Sequence, residues 1–170
     1  MKRLPYLILT LIVVAVDLFS KSAVFDMLEP GETRWIFGKW FGFVEVLNPG
    51  ITGGMLGSVL DARYITILTG AASIGILVYM LRSRSITRLH VAGLALILGG
   101  AIGNLYDRLT FEKVRDFIDV WPGLAFPSKG SWLYHWPTFN LADSAIVIAV
   151  GLMVAHWLFI GRKGTPAEAA

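Results

Sequence analysis

Two clusters of amide, carboxylate and arginine side chains interrupt an otherwise apolar sequence. The first cluster lies between residues 99 and 119 (GGAIGNLYDRLTFEKVRDFID) and the second between residues 139 and 144 (FNLADS). Both adjoin very apolar segments, where ionisable groups are energetically expensive and therefore usually functional. The candidates for chemistry are Asn104, Asp107, Arg108, Asp116, Asp119, Asn140 and Asp143.

Asp116 and Asp143 are the carboxyl groups best placed for joint acid–base chemistry. Asp116 lies just beyond the third apolar segment and Asp143 near the start of the fourth, so helix packing can bring the two side chains face to face. When two carboxyl groups lie a few Å apart, one keeps its proton and the other stays charged. Such a pair can activate a water against an amide and later protonate the leaving nitrogen.

Spacing alone leaves other roles open for these side chains. Each carboxylate could instead pair with Arg108 or Arg115, and Asp119 would lie one turn from Asp116 if this stretch is helical, which makes it a competing catalytic candidate. Asp107 is expected to form a structural ion pair with its neighbour Arg108.

The amides of Asn104 and Asn140, together with Arg108, have two interpretations. They could orient a peptide carbonyl or the carboxylates, because buried polar groups need partners. They could equally form hydrogen bonds that only hold helices together.

Metal chemistry is the main alternative to a carboxyl pair. Several carboxylates plus His135 could bind a divalent ion, but the sequence has no H-E-x-x-H or comparable pair, and His90 and His156 lie toward the other ends of their segments. No metal or other cofactor is therefore expected. The absence of cysteine excludes a thiolate nucleophile, and the absence of a Walker A sequence argues against a P-loop hydrolase.

Composition places the chain in a membrane. Of its 170 residues, 55% are hydrophobic and 16% charged, and the mean hydropathy is +0.65. These values indicate a single integral membrane domain over residues 1–170. The net charge of +3 comes from basic residues that are scattered or lie beside apolar spans, as expected near anionic lipid, so nucleic-acid binding is not expected.

Four apolar segments are long enough to cross a bilayer. The first imitates a secretory signal peptide, but Asp17 and Lys21 stand where a small-residue cleavage site should follow, so we predict an uncleaved helix. These two residues, four apart, form either a functional pair or a pair that snorkels at the helix end. We predict an all-α membrane protein with four transmembrane helices, at residues 4–22, 64–81, 89–108 and 139–160.

Small residues on two of the spans indicate close helix packing. Gly99 and Gly103 form a G-x-x-x-G pattern on the third span, while Ala71 and Gly75 form a small-xxx-small pattern on the second. We also expect Ser73 on the second span to be a packing residue.

The segments 23–63 and 109–138 connect the spans on one side. Aromatic and β-branched residues between 35 and 47 lack helical periodicity and predict short strands, followed by a turn at residues 48–50 (NPG). Five of the six tryptophans also fall in these two segments, which predicts a small extracytoplasmic β-sheet and loop cap at the headgroup level.

Charge sets the expected orientation. Arg82, Arg84 and Arg88 crowd the short link between the second and third spans, which places that link in the cytoplasm. Four spans then put both termini in the cytoplasm and both polar clusters near the outer face.

Five sequence blocks resemble bacterial lipoprotein signal peptidase (signal peptidase II), a family of four-span aspartic peptidases. The blocks are DLFSK at 17–21, NPG at 48–50, GGAIGNLYDR at 99–108, VRDF at 114–117 and FNLADS at 139–144. The last three, in this order and spacing, carry most of the resemblance, which covers nearly the whole chain.

The resemblance implies that Asp116 and Asp143 form the catalytic dyad and that Asp119 does not belong to it. It further implies that eight residues support the site or contact the substrate: Asp17, Lys21, Asn48, Gly50, Gly100, Asn104, Arg108 and Asn140. Arg115, beside the first aspartate, is expected to lower the pKa of that carboxyl by attraction.

The family's substrate would be a prolipoprotein whose cysteine already carries diacylglycerol, cut on the amino side of that cysteine without a metal. The resemblance implies a protein of the bacterial inner membrane, surrounded by membrane lipids, and we expect a monomer. The rival interpretation is a small proton-coupled transporter or a membrane scaffold, in which the same carboxylates relay protons or hold helices together.

Overall fold

The computed structural model describes residues 2–50, 62–83, 85–120 and 136–159. Four helices and three strands make up this part of the chain, in the order α1, β1, β2, α2, α3, β3, α4. The helices are α1 (Leu4–Met27), α2 (Ala62–Arg82), α3 (Arg88–Phe111) and α4 (Leu141–Phe159). The strands are β1 (Thr33–Phe37), β2 (Phe41–Asn48) and β3 (Val114–Val120).

All four helices are long and apolar enough to cross a membrane. Large apolar side chains cover their outward faces, including Leu11, Phe19, Ile67, Leu109 and Val147, each at least 65% exposed. Such faces suit contact with lipid chains rather than water. The predicted fold class, a four-helix membrane protein with a small sheet, is confirmed.

Helix α3 lies at the centre of the bundle and packs against α1, α2 and α4. Its glycines permit the close approach. A Cβ at Gly99 would lie 2.7 Å from Cβ of Val13 in α1, and one at Gly100 would lie 2.5 Å from the carbonyl oxygen of Ala142 in α4. A Cβ at Gly103 would overlap the carboxylate of Asp17. The predicted packing role of the α3 glycines is confirmed.

The packing role predicted for Ala71 and Gly75 of α2 is wrong. Both residues are exposed, and a Cβ at Gly75 would meet no atom within 4 Å. The small-xxx-small spacing is present, but this face of α2 is turned away from the other helices. Ser73 is buried and donates its hydroxyl to the carbonyl of Thr69, as a packing residue does.

The three strands form one antiparallel sheet in the order β1-β2-β3. The strands predicted between residues 35 and 47 are confirmed as β1 and β2, whereas β3 was not predicted. The helical turn considered for Asp116 and Asp119 is wrong, because both lie on β3. Since successive side chains of a strand point to opposite faces, residues three apart face opposite ways.

A sharp reversal brings β3 back against the bundle. Helix α3 ends at Phe111, and Glu112 adopts a left-handed conformation with φ of 59° that turns the chain directly into β3. The other edge of β3 holds Phe139 by an isolated bridge to Ile118, just before α4 begins at Leu141. The polar ends of α3, β3 and α4 therefore meet at one place.

The sheet is fixed to the bundle by a small apolar core. Val24 and Leu28 at the end of α1 pack against Phe117 and Ile118 of β3. A second core, built around Met80, Val91, Ala95 and Leu98, lies toward the opposite end of the bundle. We call the end of the bundle that carries the sheet the sheet end.

Candidate active site

A chain of four buried charges runs through the sheet end of the bundle. Lys21 of α1 lies 2.7 Å from Oδ2 of Asp17 and 3.2 Å from Oδ2 of Asp107, and all three side chains are completely buried. Arg115 completes the chain, with Nη2 2.8 Å from Oδ1 of Asp107. The interpretation of Asp17 and Lys21 as a snorkelling pair is therefore wrong, because neither side chain reaches solvent.

Asp107 has the structural role predicted for it, but with different partners. It binds Lys21 and Arg115 rather than its neighbour Arg108. One turn of helix separates Asp107 from Asn104, so α3 holds a carboxylate and an amide on adjoining turns of one face. Lys21 contacts both of them, since its ammonium also donates to Oδ1 of Asn104 over 2.9 Å.

Asp17 also fixes the start of α4. Its Oδ1 accepts the main-chain N–H of Ala142 at 2.9 Å. The first N–H groups of a helix lack partners within that helix, so a carboxylate placed there satisfies one of them. Its negative charge also interacts favourably with the positive end of the helix dipole. Asp17 thereby joins α1 to the helix that carries Asp143.

Asp116 is 1% exposed and is held by two side-chain amides. Its Oδ2 accepts from Nδ2 of Asn48 on β2 at 2.9 Å, and its Oδ1 accepts from Nδ2 of Asn140 at 2.7 Å. Burial raises the pKa of Asp116 to about 6; the Asn48 amide lowers it, the nearby charge of Asp143 raises it, and the Asn140 amide lowers it. The carboxyl therefore keeps its proton to an unusually high pH.

Asp143 lies in the first turn of α4 and shares a set of amides with Asp116. Its Oδ1 accepts from Nδ2 of Asn104 at 2.8 Å, and its main-chain N–H donates to Oδ1 of Asn140 at 3.0 Å. Asn140 therefore caps α4 and at the same time holds Asp116. The structure brings the two predicted carboxyl groups to a single hydrogen-bonded cluster.

The alternative pairings of the two carboxylates are wrong. Among the ion pairs of residues 2–50, 62–83, 85–120 and 136–159, none joins Asp116 or Asp143 to Arg108 or Arg115. The pKa of Asp116 is raised by burial and not lowered as expected, and the Arg115 guanidinium binds Asp107 instead of Asp116.

Arg108 holds the turn that follows β2. Its Nη2 donates to the carbonyl oxygen of Gly50 over 3.1 Å, and the N–H of Gly50 donates to Oδ1 of Asn48 over 2.9 Å. This side-chain turn leaves Nδ2 of Asn48 free to reach Asp116. The predicted turn at residues 48–50 thus connects Arg108 with the carboxyl cluster, while the glycines at 53, 54 and 57 lie outside the described residues.

A cavity of about 320 Å³ opens beside the cluster, between α2, α3 and α4. Its polar lining is formed by Asn104, Arg108 and Asp143, and its apolar lining includes Ile65 and Val147. A ligand with a polar centre and an apolar part fits such a lining. Because Asp143 lies in the wall, the cavity leads to the carboxyl pair.

Asp119 is buried, and its position on β3 turns it away from the side that carries Asp116. His90 and His156 stack edge to face with ring centroids 5.2 Å apart near the start of α3 and the end of α4, away from the sheet end. The described residues contain no group of three or more histidines, aspartates or glutamates arranged to hold a metal ion. His135 lies outside them.

The ten predicted site residues all lie in the described part of the chain. Seven form the directly connected cluster: Asn48, Gly50, Asn104, Arg108, Asp116, Asn140 and Asp143. Asp17 and Lys21 join it through hydrogen bonds to Ala142 and Asn104, and Gly100 permits the contact of α3 with α4. The sequence analysis did not predict Arg115 as the partner of Asp107.

The fold and the cluster define a class of protein: a four-span integral membrane protein with two aspartates held by side-chain amides at one end of its helix bundle. Comparison with known proteins identifies the family. The family model described as signal peptidase (SPase) II matches residues 9–159. The chain belongs to the signal peptidase II family, and its enzyme class is accordingly aspartic endopeptidase.

Relatives named lipoprotein signal peptidase align over most of the chain. The protein of Chlorobium luteolum is 38% identical over 152 residues, which cover 88% of each chain. That of Moorella thermoacetica is 36% identical and covers 95% of this chain and 96% of its own. This family membership replaces the transporter and scaffold interpretations.

Two solved structures, each described as a bacterial membrane enzyme determined by the in meso method, share the fold. The structure at 2.3 Å resolution has a TM-score of 0.79 at 22% identity and covers 98% of this chain and 94% of that one. The structure at 1.9 Å resolution has a TM-score of 0.74 at 20% identity and covers 92% and 94%.

Proposed function

We propose that the protein removes signal peptides from diacylglyceryl-modified prolipoproteins by cutting on the amino side of the lipidated cysteine. Asp116 and Asp143 activate the water that attacks the peptide bond. The observation that carries this proposal is the shared amide cluster, in which Asn140 donates to Asp116 and accepts from the N–H of Asp143. The names of the relatives support the substrate class.

The pair works with one proton between its two carboxyl groups. The ionised member takes a proton from the attacking water, while the protonated member donates to the peptide carbonyl as it becomes tetrahedral. Collapse of this intermediate breaks the C–N bond, and a proton from the pair passes to the leaving nitrogen. Burial raises the pKa of Asp116 to about 6, which supports a pair that retains one proton below that pH.

Three amides keep the carboxyl groups in place during these proton transfers. Asn48 and Asn140 hold one oxygen each of Asp116, and Asn104 holds Asp143. Lys21 in turn orients Asn104 through its carbonyl oxygen. Because all of these groups are hydrogen-bonded before a substrate arrives, the site needs little rearrangement at the moment of reaction.

The cavity beside Asp143 is the proposed substrate site. Its apolar lining includes the buried Ile65 and the exposed Val147, so it is open toward the lipid region and suits the acyl chains of a modified cysteine. Its polar wall, with Asn104 and Arg108, suits the peptide that carries the scissile bond. A lipid anchor would then hold the peptide bond at the depth of the carboxyl pair.

The proposal includes a location in the bacterial inner membrane with the site near its outer face and both termini in the cytoplasm. Arg82 and Arg88 support this orientation, because they lie at the ends of α2 and α3 away from the sheet end. The enzyme is proposed to act as a monomer, in contact with membrane lipids and without a metal or another cofactor.

A cleavage assay with lipidated and unlipidated forms of one precursor tests the proposed substrate class. Purified protein in lipid or detergent should cut the lipidated form at the peptide bond before the modified cysteine, as read by mass spectrometry. The unlipidated form should be cut at a rate lower by orders of magnitude, and excess chelator should leave the rate unchanged. Equal rates for the two forms, or loss of activity that added metal restores, would contradict the proposal.

A further inference from the structure

We infer that Arg115 is a positioning residue for the reaction: through Asp107 it holds the strand segment that carries Asp116 and balances the buried charge next to the aspartate pair. This inference rests on the proposed role of Asp116. Neither the resemblance nor the pairing of the two aspartates assigns a role to Arg115.

The contacts of Arg115 with Asp107 involve both main chain and side chain. The Arg115 N–H donates to Oδ2 of Asp107 over 3.0 Å, while Nε and Nη2 donate to Oδ1 over 3.2 and 2.8 Å. One carboxylate of α3 therefore fixes both the main chain of β3 and the direction of the guanidinium. A point charge such as a lysine ammonium cannot reproduce this two-pronged contact.

The rest of the guanidinium is enclosed between α1 and α3. Nη1 donates to the hydroxyl of Ser22 over 3.2 Å, and the charge lies 4.6 Å from the ring centroid of Phe111 and 6.0 Å from that of Phe25. The residue as a whole is only 8% exposed. Arg115 thus joins β3 to two transmembrane helices.

Strand geometry transmits this contact to the next residue. Successive side chains of a strand point to opposite faces, so Arg115 faces α1 and α3 while Asp116 faces Asn48 and Asn140. The peptide unit on the amino side of Arg115 is held by Asp107 through the Arg115 N–H. A shift of this unit moves the Asp116 carboxyl away from its amides, and displacements of about 1 Å can cost about 100-fold in rate.

Charge balance supplies the second part of the inference. The four connected buried charges are two anions, Asp17 and Asp107, and two cations, Lys21 and Arg115. Without Arg115, Lys21 alone would face both carboxylates, and one buried negative charge would be left uncompensated. Lys21 also orients Asn104, which in turn holds Asp143.

The loss of charge balance on removing Arg115 should be measurable as a change in the pH dependence of the reaction. The charged side chains facing it are Asp107 on α3 and, behind that carboxylate, Lys21 and Asp17 on α1; its register partner on β2 is the uncharged Leu47. An added net negative charge near the aspartate pair makes its protons harder to remove. Removal of Arg115 should therefore shift the activity profile to higher pH.

Four variants test the inference in the lipidated-precursor assay. Arg115→Met removes the charge and the clamp, Arg115→Lys keeps only the charge, and Asp107→Asn with Arg115→Met removes the clamp but restores charge balance. Arg34→Gln is the matched control, since Arg34 on β1 of the same sheet forms a partly exposed ion pair with Glu32. Asp116→Asn is measured in parallel.

Arg115→Met should lower kcat by about 10- to 100-fold and move the pH profile upward by about half a unit to one unit. Arg115→Lys and the double variant should also have a reduced kcat, but with the wild-type pH profile. KM should change in none of them by more than about twofold, because Arg115 does not line the substrate cavity. If Arg115→Met does not fold, the other two variants carry the test of the clamp.

A folded Arg115→Met protein with the kcat of the Arg34→Gln control would overturn the inference. So would a reduced kcat with an unshifted pH profile, since loss of packing alone would explain it. If the single variant does not fold, wild-type kcat in Arg115→Lys and in the double variant would overturn it. An active Asp116→Asn protein would instead overturn the proposed function, so the two failures are distinguishable.

Discussion

Asn140 donates its side-chain amide to Oδ1 of Asp116 over 2.7 Å and so fixes a carboxyl group of the sheet to the first turn of a transmembrane helix. The same side chain accepts the N–H of Asp143 at 3.0 Å. One amide therefore sets the separation of two carboxyl groups that come from different elements.

Replacement of Asn140 by alanine should separate the pair. We expect kcat to fall by about 100-fold, because the Asp116 carboxyl loses a hydrogen bond and its fixed position. The free energy of unfolding should fall by about 1–3 kcal/mol, since Asn140 is fully buried and its partners are left unsatisfied. Steady-state kinetics and thermal unfolding in detergent measure the two effects. Wild-type kcat in the variant would show that the amide does not position the pair.

The rate should fall as pH rises above about 6. Burial is the main cause that raises the pKa of Asp116 to about 6, so the shared proton is retained below that pH and lost above it. Since the reaction needs one proton on the pair, its loss removes the active form. The rate of lipidated-precursor cleavage, measured from about pH 4.5 to about pH 9, should show this decrease as the alkaline limb of the pH profile.

Asn48→Ala provides the matched test of that assignment. The Asn48 amide binds the ionised form of Asp116 and lowers its pKa, so its removal should raise the pKa and move the alkaline limb to higher pH. Asp119→Asn, on the opposite face of the strand, should leave the limb in place. A limb that moves to lower pH in Asn48→Ala would assign it to another group.

Glycine substitutions distinguish buried from lipid-facing helix surfaces. Gly99→Ala should lower the free energy of unfolding by about 1–3 kcal/mol, because its Cβ would lie 2.7 Å from Cβ of Val13. Gly75→Ala meets no atom within 4 Å and should stabilise α2 by about 0.5–1 kcal/mol. Thermal unfolding midpoints of the two variants should move in opposite directions, and equal destabilisation would contradict the packing described for α2 and α3.

Loss of Lys21 should be among the most costly single changes. Lys21→Met leaves the buried carboxylates of Asp17 and Asp107 without their shared cation, which should cost about 3–5 kcal/mol of unfolding free energy. Arg34→Gln breaks a surface ion pair and should cost no more than about 1 kcal/mol. Similar unfolding midpoints for the two variants would show that the buried chain of charges contributes little to stability.

Hydrophobicity predicted most of this fold, because bilayer thickness sets the length of each apolar helix. Strand β3 was not predicted, and the reason is its burial. Six of its seven residues are buried, on both faces, so the sequence VRDFIDV lacks the alternation of apolar and polar residues that marks a half-buried strand. Ala71 and Gly75 were predicted as packing residues but are exposed, because spacing alone does not tell which face of an all-apolar helix contacts other helices.

The motif resemblance predicted more of the site than the spacing of the residues did. Residue spacing left Asp119 equal to Asp116 until the resemblance separated them, and β3 now gives the physical difference: the two side chains lie on opposite faces. The partners of Asp107 were not predicted, because Lys21 lies on another helix, α1, and Arg115 lies on β3, a strand that the sequence pattern did not indicate. Only the packed fold brings those charges together.

The cleavage of a lipidated precursor by Asp116→Asn and Asp143→Asn variants tests the central claim most directly. Each variant should insert and unfold much as the wild type does, yet lose cleavage by about 1000-fold or more, while Asp119→Asn retains it. Both losses are expected because neither carboxyl group alone can both take and give the proton. Precursor cleavage at the wild-type rate by a folded Asp116→Asn or Asp143→Asn protein would contradict the account.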